Sequence, residues 1–94
     1  MKSKSVYKVP DGKLLKIFID YNYRKLLINK IKITGDFFAY PEESIEWIEN
    51  ELINTSIKKE VLQNKIDTII EKNNIDFIGL NSEGLVEGIL RCLR

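Results

Sequence analysis

Ile31-Lys32-Ile33-Thr34-Gly35-Asp36-Phe37-Phe38-Ala39-Tyr40-Pro41-Glu42-Glu43 is the stretch on which the fold turns. Before it, apolar and polar side chains alternate with a period of two; beyond it, apolar side chains recur every three or four residues. A chain that changes period once, at Pro41, reads as an α+β domain with strands first and helices second.

Working back from Ile31, three strands are expected. Leu27, Ile31 and Ile33 form the inner face of the third, with Lys30 and Lys32 outside. Asn22-Tyr23-Arg24 supplies the turn before it. The second strand, Leu14 to Tyr21, places Leu15, Ile17, Ile19 and Tyr21 on one face and Lys16 and Asp20 on the other. Val9-Pro10-Asp11-Gly12-Lys13 is a hairpin signal in which Pro10 presets φ, Asp11 bonds its own backbone and Gly12 takes the left-handed position. Val6 to Val9 is the first strand, so the sheet is an antiparallel meander.

Working forward, Pro41 suits the first helical position and Glu42 and Glu43 suit the positive end of the helix dipole, which predicts a helix over 41–53 with Ile45, Ile48 and Leu52 inward. A second helix is expected near 57–73, capped by Thr55-Ser56, with Leu62, Ile66, Ile69 and Ile70 inward. After an apolar link from Ile75 to Leu80, Ser82 caps a third, whose inner face is Leu85, Val86, Ile89, Leu90 and Leu93. The order is βββααα, with the helices packed on one face of a three-stranded sheet and residues 1–94 forming one domain.

A chain of 94 residues buries roughly 65% of its extended surface, enough for one core. No apolar run approaches the ~18 residues of a membrane span. The absence of a secretory-type core after Met1 and the single Cys92 point to the cytoplasm. With no histidine, imidazole acid–base chemistry, Ser-His or Cys-His nucleophiles and His-ligated zinc are closed to this chain acting alone. A lone thiol holds no iron–sulfur cluster and suits inert packing, and the scattered glycines form neither phosphate-binding motif. Catalytic and metal-ligating residues are therefore not expected.

Charge is divided along the chain. Residues 1–34 carry nine Lys/Arg against two acids, a net of +7; residues 35–94 carry six against twelve, a net of −6. A basic sheet with Tyr7, Phe18, Tyr21 and Tyr23 interspersed is compatible with a small nucleic-acid-binding module. Against that stand a pI near 7.8 and the lack of an RNP1-like Lys/Arg-Gly-Phe/Tyr run. A sulfur carrier or cluster scaffold has a similar shape, but Cys92 is a poor basis for either.

Gly35-Asp36-Phe37-Phe38, followed by Pro41-Glu42-Glu43, resembles the accessory domain of lipoate-protein ligases, as does Gly12-Lys13-Leu14 after its tight turn. The resemblance extends over nearly the whole chain, and a free-standing chain of this length looks like the small subunit of a split, archaeal-type enzyme. It implies an accessory chain without catalytic residues, acting as a heterodimer with a catalytic subunit and, through it, on lipoyl acceptor domains. ATP, Mg and lipoate are then expected on the catalytic partner. In the family, lipoate is activated to lipoyl-AMP and passed to an acceptor lysine, and the accessory domain is implicated chiefly in the first half-reaction. Joining a carboxylate to a triphosphate brings like charges together, so that step gains from water exclusion and preorganised cations.

The motif also has a purely structural account: Gly35 a bulge or unusual backbone, Asp36 a local turn bond, Phe37 or Phe38 core filling, Pro41 a helix start. Candidates for facing a partner or a phosphate are Lys13, with Gly12 beside it, and Trp47. Lys13 either presents its ammonium or simply protects a sheet edge. Trp47 lies about 140° around its helix from the apolar stripe, either covered by the second helix or offered to a partner.

Overall fold

The computed structural model describes residues 1–94. Three strands, β1 (Lys2–Lys8), β2 (Leu14–Asn22) and β3 (Leu27–Gly35), pair antiparallel in the order β1-β2-β3. Then come β4 (Phe38–Tyr40), α1 (Ser44–Glu51), α2 (Lys59–Lys72), β5 (Asp76–Ile78) and α3 (Ser82–Arg91). The helices cover one face of the sheet: α3 lies over β1 and β2, α1 against β3, and α2 against α3. The α+β class and the βββααα order stand, with one addition: β4 and β5 form a second, two-stranded antiparallel sheet. The apolar link from Ile75 to Leu80 is therefore partly strand.

The period-2 reading of β2 holds residue for residue, since Leu15, Ile17, Ile19 and Tyr21 are all buried. In β3 the inner position is Ile28 instead of Leu27, because the register shifts between Asp20 and Tyr21. A bulge reverses the alternation on one side of itself, so Ile31 and Ile33 keep their inward face while Leu27 gives way to Ile28. The first strand starts earlier than Val6; its inward side chains include Ser3 and Ser5, whose hydroxyls donate to the carbonyls of Cys92 and Gly88 on α3. A Cβ on Gly88 would stand 2.8 Å from a Leu15 methyl, so the bare backbone is what lets α3 approach the sheet.

Helix boundaries moved for local reasons. Pro41 lies three residues before α1, and its carbonyl accepts from both the amide and the hydroxyl of the buried Ser44. Glu43 takes the N-cap position without a side-chain bond, leaving Glu46 as the acid in the first turn. Thr55 and Ser56 do not cap α2; Asn54 to Ile57 run beside the start of β3, where Ile28 donates to Thr55 and Ile57 donates to Leu26. The extended Lys58 precedes α2 instead. Asn81, one residue before Ser82, caps α3 by accepting from Gly84 at 2.6 Å. Farther along the free edge of β3, the Ile33 amide donates to the Glu49 carboxylate at 2.7 Å. Both devices occupy donors that an open strand edge would otherwise offer to other chains.

Cys92 is buried at the end of α3; burial pushes its thiol up and the Ser5 hydroxyl opposes this. It is packing, as expected of a small sulfur-bearing apolar group. No helix is long and apolar enough to cross a membrane.

Candidate docking end

Three connections meet at one end of the molecule: the β1–β2 hairpin, the β3–β4 turn and the β5–α3 loop. The hairpin is closed by the Gly12 amide donating to Val9 at 2.8 Å and the Val9 amide donating to Lys13 at 3.1 Å. Asp11, not Gly12, occupies the left-handed region, at φ 57°. Gly12 has a different job: a Cβ there would lie 2.7 Å from the Gly79 carbonyl oxygen. That same carbonyl accepts from the Lys13 amide at 2.8 Å. Gly79 is itself at φ +84°, and the Lys13 side chain fills the space where its Cβ would go. So Gly12 and Lys13 are brought together with Gly79, some sixty-six residues away in the chain, by a single backbone junction.

The second connection is built by Gly35, at φ +154°, where a Cβ would collide with the Leu14 carbonyl. One residue on, the Asp36 amide donates to that Leu14 carbonyl at 3.0 Å. The turn bond expected from the Asp36 side chain is thus made by its backbone, and no hydrogen bond or ion pair occupies the exposed carboxylate. Phe37 turns inward and packs against the core. Phe38 does not: it is 62% exposed.

Strand register explains the arrangement. Phe38 pairs with Ile78, Ala39 with Phe77 and Tyr40 with Asp76, so the small sheet has two faces. Ala39 and Phe77 are half-buried, with Phe77 against the core. Phe38, Tyr40 and Ile78 share the outer face with the exposed Asp76 and are themselves 62%, 51% and 58% exposed. Three large apolar side chains on a sheet of six residues make an uncovered patch beside the Lys13–Gly79 junction. Sequence periodicity could not have found it, because the stretch is too short to show an alternation.

Trp47 is half-buried against the core, so only part of its ring is available to a partner. Glu42 and Glu43 are exposed in the turn between β4 and α1. No three His, Cys, Asp or Glu side chains converge to hold a metal ion. The depressions elsewhere are open to solvent, the largest passing Tyr7, Pro10, Gln63 and Glu83. The four aromatics considered for base stacking do not form a platform: Tyr21 is buried, Tyr7 lies inward with the Arg91 guanidinium 4.4 Å above its ring, Phe18 is on the opposite face and Tyr23 is in a turn.

The family model for the bacterial lipoate protein ligase C-terminus matches residues 15–89. The chain belongs to this family. Lipoate-protein-ligase domains of this kind also supply the structural likeness: a chain in the structure of a bi-partite lipoate protein ligase and its E2 lipoyl domain from Thermoplasma acidophilum superimposes with a TM-score of 0.80 at 27% identity. The overlap covers 95% of this chain and 94% of that one. No curated protein matches the sequence.

Proposed function

We propose that this chain is the accessory subunit of a two-subunit lipoate-protein ligase and assists ATP-dependent formation of lipoyl-AMP on a separate catalytic subunit, before lipoyl transfer to the lysine of an acceptor domain such as an E2 lipoyl domain. The observation that carries the reading is the exposure of Phe38. Within the family-like run Gly35-Asp36-Phe37-Phe38, Gly35 and Phe37 shape the turn, whereas Phe38 and the Asp36 carboxylate have no task inside the domain. Together with Tyr40, Ile78 and Lys13 they offer the catalytic subunit an apolar centre with a cation and a carboxylate beside it.

In this reading the chemistry itself belongs to the catalytic subunit. Lipoate and ATP need an enclosed pocket and phosphate donors, and the depressions here are open. What an accessory surface contributes to adenylation is closure: excluding water and holding positive charge near the triphosphate while the carboxylate attacks. Lys13 suits that second task, because its amide is fixed to Gly79 while its side chain reaches solvent.

Assaying the two half-reactions separately tests this. Without the chain, lipoyl-adenylate formation by the catalytic subunit should collapse, while transfer from supplied lipoyl-adenylate persists at saturating acceptor. Phe38→Ala, Lys13→Ala and Trp47→Ala should each lower the adenylation rate. Equal loss of both half-reactions on omitting the chain would show a general scaffold instead of site closure, and pyrophosphate exchange by the chain alone would overturn the accessory assignment.

A further inference from the structure

The face of the β1-β2-β3 sheet away from the helices carries a field that the docking end does not use. Lys2, Lys4 and Lys8 from β1, Lys16 from β2 and Lys30 and Lys32 from β3 all point to it and are exposed. Directly opposed residues on antiparallel strands share a face, and the register places Lys4, Phe18 and Lys32 in one row, with Lys2, Asp20 and Lys30 in the next. None of the six ammonium groups lies within 4.0 Å of a carboxylate. The one acid in these rows, Asp20, is engaged by the Met1 ammonium at 3.4 Å. Phe18 stands 51% exposed between two lysines, and Val6, 58% exposed, lies beside it.

An uncompensated patch of six lysines around an apolar point fits a folded protein that presents carboxylates around a matching contact. A nucleic acid fits less well. Phe18 is the one aromatic on this face, arginine is missing from it, and a long polyanion that overran the sheet would meet the carboxylates on the helices. The catalytic subunit is taken up at the β4–β5 end in the function proposed above, on which this inference rests, so the macromolecule left for the sheet is the acceptor. We infer that the outer sheet face docks the lipoyl acceptor domain through an acidic surface of that domain, raising its local concentration beside the catalytic subunit. The effect belongs to capture of the protein substrate, so it acts on KM and leaves the chemical step alone.

The test uses the two-subunit complex with supplied lipoyl-adenylate and the E2 lipoyl domain of the same host as probe. The double variant Lys4→Glu/Lys32→Glu should raise KM for the acceptor about tenfold at ~50 mM salt with kcat preserved. Raising salt to ~500 mM, which shortens screening from roughly 14 Å to 4 Å, should lift the wild-type KM toward the variant's. Adenylate formation, measured without acceptor, should match wild type. Because that readout is separate, failure of the adenylation role and failure of acceptor docking give different results. An unchanged KM overturns the inference. Loss of adenylate formation in the same variant assigns this face to the catalytic subunit instead, and a single-stranded RNA 20-mer that binds wild type tightly and displaces the acceptor assigns it to nucleic acid. Should the double variant melt early, Lys4→Gln/Lys32→Gln carries the same test, with a smaller rise in KM expected.

Discussion

The two sheets of this domain are made of similar residues and do opposite things with them. In the three-stranded sheet Leu15, Ile17, Ile19, Ile28 and Ile33 face the helices and are lost to solvent, and the side that remains outside is largely lysine. In the two-stranded sheet the side left outside is Phe38, Tyr40 and Ile78, with Asp76 as its one charge. An apolar side chain toward solvent gives the isolated domain nothing, whereas one toward the core contributes about 1.5–3 kcal/mol. The inner face of the large sheet is therefore explained by folding, whereas the outer apolar face of the small one calls for a partner.

That contrast can be broken at several strengths. The largest effect belongs to the core: Ile17→Ala, on the central strand with 0% exposure, should cost roughly 2–5 kcal/mol in urea unfolding. A loss below 1 kcal/mol would mean that the sheet is not the source of stability. Next comes Gly12→Ala, which forces a Cβ against the Gly79 carbonyl and should cost about 1–3 kcal/mol. It should also weaken the complex with the catalytic subunit, since the junction that fixes Lys13 moves.

Smaller still are the stability effects on the outer face. Phe38→Ala and Asp36→Ala should each leave unfolding free energy within about 0.5 kcal/mol of wild type, while titration calorimetry shows weaker binding to the catalytic subunit for Phe38→Ala. A Phe38→Ala variant that loses stability and keeps full affinity would erase the distinction between the sheets. The smallest effect is at Glu87. Partial burial opposes ionisation there, but the hydrogen bond from Arg91 and the charge of Arg94 win, and the carboxyl titrates below its ordinary value. A carboxyl lowered by folding contributes stability above its unfolded pKa and loses it as pH falls through the folded value. Glu87→Gln should therefore flatten acid unfolding slightly and leave stability near neutrality a little lower.

Much of the fold was legible in the residues because its signals are local. Alternation in Leu14 to Tyr21 and the 3.6 period of Leu85, Val86 and Ile89 follow from where each Cβ points along its own strand or helix, whatever the rest of the chain does. The motif was legible as a landmark too: of the two phenylalanines offered for core filling it is Phe37 that packs inward and Phe38 that stays outside, Gly35 takes the unusual backbone, and Asp36 holds its turn through the backbone instead of its side chain. Caps shifted by a residue or more wherever a competing partner was near, as when Thr55 and Ser56 were drawn to the edge of β3.

The sequence by itself determined the meander, the three helices, the division of charge and the family-like turn. Each depends on neighbours within a few residues. Only the tertiary structure decided that Phe38 to Tyr40 would find Asp76 to Ile78, that Gly12 would lie against Gly79, and that the lysines of three strands would gather around Phe18. Those contacts join segments far apart in the chain, and their closure is stabilised by the shared core beneath them, so no local pattern announces them.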